Sequence, residues 1–131
     1  MNPYNAVHAL AAALRQSEEY KNYKEAQEAL KNDPSAKNML LDFRRQQLQL
    51  QKQQLSGISL APEQVEKMKK LYEIISLNLI VRRFLEAEHR LLTLFQDIQK
   101  IIAEVTGEVF DPELLGLDEI DENSEGSEEE S

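Results

Sequence analysis

The chain is 131 residues long, with 15 Lys+Arg against 24 Asp+Glu, a net charge of −9, 4 Gly, 4 Pro and neither Cys nor Trp. That length holds one domain of ordinary size, or a smaller body with a tail. So few turn residues exclude a loop-rich sandwich or barrel, and the missing cysteines exclude disulfides, thiolate metal sites, cysteine-held iron–sulfur clusters and thiol nucleophiles.

Taken in order, the elements read as helix almost everywhere. Asn2-Pro3 is a start signal, with Asn as N-cap and Pro at the first helical position, and Val7, Leu10 and Leu14 follow at helical spacing. Ser17-Glu18-Glu19 offers a cap plus first-turn acids that suit the helix dipole. Tyr20, Tyr23, Ala26 or Gln27, and Leu30 continue the apolar stripe, so residues 3–32 read as one kinked helix or as two. Asn32-Asp33-Pro34 is the clearest break, with Asp33 placed to cap a helix that Pro34 starts.

That helix is expected to run to about Leu55. It carries Leu41, Leu48 and Leu55 at a strict seven-residue interval, flanked by Ala36, Leu40, Phe43 and Leu50. Six of the nine residues 46–54 are glutamine, a good helix former, which reads as a solvated face or as a polar seam that sets register against another helix. Ser56-Gly57 ends the helix and Pro62 opens the next, a short connection that favours an antiparallel hairpin. Val65, Met68, Leu71, Tyr72 and Ile75 mark the fourth helical stretch, and Ser76-Leu77-Asn78 is a break or a kink, with Asn78 as a second cap.

Residues 78–105 carry the strongest periodicity. Ile80, Phe84, Ala87, Leu91, Leu94, Ile98, Ile101 and Val105 fill every place of a 4-3-4-3 stripe, and Val81, Leu85, Leu92, Phe95 and Ile102 add a second beside it. The helix is about 40 Å long at 1.5 Å per residue. Its apolar face is wider than one antiparallel neighbour would cover. Some of that surface needs either the N-terminal helices or another subunit, and self-association as a homodimer is expected, with Ile80, Phe84, Leu85, Leu91, Leu92, Phe95, Ile98 and Ile102 as candidate interface residues.

The charge divides unevenly. Residues 108–131 hold 11 acidic groups and no Lys or Arg, leaving 13 acidic and 15 basic groups in residues 1–107. The expected organisation is an all-α antiparallel hairpin or bundle of four to five helices over 1–107, followed by an acidic, largely disordered tail over 108–131. Pro112 and Gly116 argue against a long helix after residue 108, and Leu114, Leu115, Leu117 and Ile120 are candidates for docking, on the body or on a partner.

Site chemistry is sparse. Glu86-Ala87-Glu88-His89 has the Glu-x-x-His spacing of di-iron bundles, but the other histidine, His8, follows Asn5 at that interval, so no second half-site exists and no metal is expected. The four glycines, Gly57, Gly107, Gly116 and Gly126, stand alone, so neither a P-loop nor a dinucleotide fingerprint can be built. Arg44, Arg45, Lys69, Lys70, Arg82 and Arg83 could form a basic patch, the alternative reading being an RNA-binding accessory module. Phosphate neutralisation normally wants a denser footprint than a body of charge near +2 offers. The last helix lacks the cationic polar face of an interfacial membrane helix, no apolar run approaches the ~18 residues of a span, and no basic-then-apolar leader opens the chain. A soluble cytoplasmic protein without an enzymatic site is expected.

Two stretches carry a family resemblance. Residues 13–21 (ALRQSEEYK) with Lys24-Glu25-Ala26 resemble the start of the YheA-like branch of the YlbF/YmcA family, and residues 84–91 (FLEAEHRL) with Phe95-Gln96-Asp97-Ile98 and Ile101-Ile102 are similar to its C-terminal helix. The Asp33-Pro34-Ser35 break and the helix from Phe43-Arg44 to Gln54 match its middle, so the likeness covers residues 3–105. It implies a small, self-associating bacterial helical protein. Better-known members act as non-enzymatic regulators of competence, sporulation and biofilm formation, within a complex that influences messenger RNA processing by ribonuclease Y. Those members hold iron–sulfur clusters with the help of cysteines; with none here, no cofactor is expected. The resemblance thus implies a non-catalytic adaptor or regulator, with a protein partner in an RNA-processing complex.

Overall fold

The computed structural model describes residues 1–117, and the acidic stretch 118–131, including Ile120, lies outside the described residues. Five helices follow in order: α1 (Pro3–Gln16), α2 (Glu18–Lys31), α3 (Pro34–Leu55), α4 (Pro62–Ser76) and α5 (Leu79–Val109). No strand occurs among the described residues. The all-α reading therefore holds.

Each boundary is written in local chemistry. Asn2 Oδ1 accepts from the Tyr4 N–H at 2.8 Å with Pro3 in the first turn of α1. Ser17 resolves the open question of residues 3–32 in favour of two helices. Its backbone is extended (φ −70°, ψ 152°), its hydroxyl donates to the Leu14 carbonyl at 2.6 Å, and the same oxygen accepts from the Tyr20 N–H at 3.2 Å. One residue thus closes α1 and caps α2. Asp33 accepts from the Ala36 N–H at 3.1 Å and starts α3 at Pro34.

The end of α3 is a Schellman turn. The Gly57 N–H donates to the Gln54 carbonyl and the Ile58 N–H to the Gln53 carbonyl, with Gly57 at φ +82°. Asn78 is the second cap: its Oδ1 accepts from the N–H groups of Ile80 (3.0 Å) and Val81 (3.1 Å), so the chain breaks between α4 and α5.

The chain divides into two units, Met1–Leu92 and Thr93–Ser131. The first contains a core of Leu30, Ala36, Leu40, Phe43, Ile75, Val81 and Phe84, with Tyr23, Ala26, Met68, Leu71, Ile80 and Leu85 packed against it. It is contributed by α2, α3, α4 and the start of α5; α1 buries no residue. Phe43 meets Tyr72 with ring centroids 5.9 Å apart, and Gln53 pairs with Gln64, which makes α3 and α4 an antiparallel hairpin. Tyr23 of α2 meets Phe84 of α5 at 5.4 Å.

On α3 the inward row is Ala36, Leu40 and Phe43, whereas the seven-residue row Leu41, Leu48 and Leu55 is exposed. In the second unit α5 continues through Gly107 to Val109, and a single turn follows. That turn is closed at both ends, by Asp111 Oδ1 accepting from the Glu113 N–H and by Gly116 at φ +78° with the Leu117 N–H on the Pro112 carbonyl. Pro112 and Gly116 thus bound this turn, which separates α5 from Leu117.

Candidate functional site

The residues proposed as an interface divide sharply by burial. Phe84 and Leu91 lie in the chain's own core, and Ile80 and Leu85 pack against it. Phe95 and Ile98 are half-buried, while Leu92 and Ile102 are about half exposed. The part of the α5 stripe still open to a partner therefore lies beyond Leu91. There Ile101, Val105 and Val109 are exposed at 61%, 57% and 70%. Leu114, Leu115 and Leu117 are exposed as well.

The cations of the alternative reading are partly spoken for. Arg44 forms an ion pair with Glu88 at 2.5 Å, and Arg45 pairs with Asp42 at 3.1 Å one turn away. An exposed pair of the second kind contributes well under ~1 kcal/mol, but each removes a cation from any phosphate footprint. Arg82, Arg83, Lys69 and Lys70 are exposed.

Glu86 lines an open cleft of about 430 Å³ between α2 and α5, together with Asn22, Glu25, Arg83 and Arg90. His89 is exposed and is not among its lining residues. Among the described residues no group of three or more His, Asp or Glu side chains is placed to hold a metal ion. No helix among them is long and apolar enough to cross a membrane.

Two features escaped sequence reasoning. The first is the role of one glutamine in the run. Gln53 and Gln64 exchange amide hydrogen bonds at 3.2 and 3.1 Å across the α3–α4 hairpin, and Gln53 also reaches the Ser59 carbonyl. Gln64 in turn accepts from the Ala61 N–H at 2.9 Å, supplying a start that Ala61 cannot cap with its own side chain. The polar-seam reading thus applies to this residue, while Gln47, Gln49, Gln51 and Gln54 face solvent.

The second is an open pocket of about 300 Å³ where α2, α3 and α5 meet, floored by Tyr23, Leu40 and Phe84 and reached by Arg44 and Glu88. The spacing Lys37–Leu41–Arg44–Leu48 on one helix face was its available signal.

Comparison with known proteins accords with this architecture. Residues 4–105 match the family described as control of competence regulator ComK, YlbF/YmcA. A UPF0342 protein of Symbiobacterium thermophilum is 43% identical over 101 residues, covering 77% of this chain and 90% of its own. A UPF0342 protein of Halothermothrix orenii is 39% identical over 99 residues, covering 76% and 84%. A solved structure titled a protein of unknown function (DUF964) from Bacillus stearothermophilus superposes with a TM-score of 0.70 at 26% identity, covering 82% of this chain and 96% of that one. With the family model running from α1 into the last turns of α5, the chain belongs to the YlbF/YmcA family of control-of-competence-regulator proteins.

Proposed function

We propose that the protein is a non-catalytic helical adaptor or regulator that works by self-association along the second half of α5. The observation that carries the reading is the exposed apolar row Ile101, Val105 and Val109 with Ile102 beside it. A helix in a protein draws most of its stability from packing an apolar face. Burying a large aliphatic side chain contributes roughly 1.5–3 kcal/mol, so covering this row is a strong drive to association. Ile102, Val105 and Val109 step by three and then four, the spacing used by paired helices, which makes a second copy of α5 their natural cover.

Light scattering or sedimentation of the full chain tests this, with a dimer expected. A monomer that retains no protein on co-purification from its host overturns the reading. Family membership supports a regulatory role, and the resemblance extends it to a complex acting on messenger RNA processing. Co-purification with and without residues 108–131 tests that finer role. An RNA-processing enzyme retained by the full chain supports it, and its absence from both samples removes it.

A further inference from the structure

The pocket at the α2–α3–α5 junction has a charge pattern that points to its occupant. Its rim carries Lys31 and Lys37, with Arg44 and Glu88 paired to each other beside them, over an apolar floor. The pattern continues along α3, where Lys37, Leu41, Arg44 and Leu48 share one face, with Leu41 and Leu48 38% and 50% exposed. Cations and leucines alternate there.

The complementary sequence is present in the chain itself. Residues 113–119 read Glu-Leu-Leu-Gly-Leu-Asp-Glu, and no Lys or Arg occurs from Glu108 onward. Leu114, Leu115 and Leu117 are 85%, 55% and 48% exposed. Leucines between acids match leucines between cations, so apolar burial and charge pairing reinforce each other.

We propose that residues 113–119 of one copy dock in the Lys31–Lys37–Arg44 pocket of a second copy. The proposal rests on the self-association read above. Residues 113–119 follow directly on the α5 row read as the interface, so self-association presents this segment of one copy to the other. Each dimer then holds two such exchanges, related by its two-fold axis. The Lys31 and Lys37 ammonium groups attract the segment's carboxylates, and its three leucines cover the apolar floor.

The cysteine-free chain allows a direct test in the full-length protein. One sample of chains carries Gln27→Cys, which lies on the pocket lining, and another carries Leu115→Cys; they are mixed and treated with a short bismaleimide. The expected product is an adduct of twice the chain mass, missing when Glu63→Cys on α4 replaces Gln27→Cys. It is also lost when Lys31→Glu and Lys37→Glu are introduced, with sedimentation still reporting a dimer. A dimer that gives no adduct overturns the docking while leaving self-association intact. An adduct that survives the charge reversal overturns charge-guided docking, and one formed only within a single chain carrying both cysteines overturns exchange between copies. A monomer in sedimentation overturns both readings together.

Discussion

At the scale of single residues, the boundaries are set by a handful of caps whose weights differ with what they hold in place. Asp33 starts the helix that supplies Ala36, Leu40 and Phe43 to the core. Asp33→Ala is expected to cost about 1 kcal/mol and to lower Tm by roughly 5 °C in thermal unfolding followed by circular dichroism. Asn2→Ala removes the same kind of bond from α1, which buries no residue, so its effect on the same transition is expected to be small. Two glycines make a matched pair. A Cβ at Gly57 or at Gly107 would meet nothing within 4 Å, so backbone geometry alone decides the outcome. Gly57→Ala forces alanine to φ +82° and costs roughly 1–2 kcal/mol. Gly107→Ala sits inside α5 and gains up to about 1 kcal/mol of helix propensity. Opposite signs from one chemical change, read by thermal melts of the two variants, test that account.

At the scale of elements, most of the fold was legible in the chain and its orientation was not. Asn2, Asp33, Gly57, Pro62 and Asn78 act at short range, so their signals survive without knowledge of the neighbours. Which face of a helix turns inward is a long-range matter. On α3 the row Leu41–Leu48–Leu55 and the row Ala36–Leu40–Phe43 both have helical spacing, and only the landing of α2, α4 and α5 makes the second the buried one. The α5 stripe posed the same difficulty: it is unbroken in sequence, yet Phe84 and Leu91 are consumed by the core while Ile101 and Val105 stay open. The Arg44–Glu88 pair spans two elements and carries no local signature. A substitution pair measures the difference between faces. Phe84→Ala, which empties a site against Tyr23, is expected to cost about 3–5 kcal/mol, and Leu48→Ala to stay within roughly 0.5 kcal/mol. Urea midpoints with unchanged slope are the measurement.

At the scale of the whole molecule, association and folding draw on different residues. The core of Met1–Leu92 contains no buried polar or charged side chain among the described residues, so it is held by packing alone. The exposed row beyond Leu91 contributes little to it. Ile101→Asp together with Val105→Asp is therefore expected to convert the dimer to a monomer in sedimentation. The unfolding midpoint extrapolated to low protein concentration should not move, because the lost free energy belongs to association. A dimer that persists in this variant would place the interface elsewhere.

The single-residue joint at Ser17 has a kinetic consequence. With Ser17 extended and no side chain of α1 buried, the first helix can open while the cluster around Phe43 and Val81 stays closed. Amide protons of residues 6–16 should exchange with solvent deuterium through that local opening, at rates indifferent to core-destabilising changes such as Phe84→Ala. Those of residues 81–91 should speed up in step with the loss of global stability. The same hydroxyl that joins two helices thus marks where one cooperative unit ends.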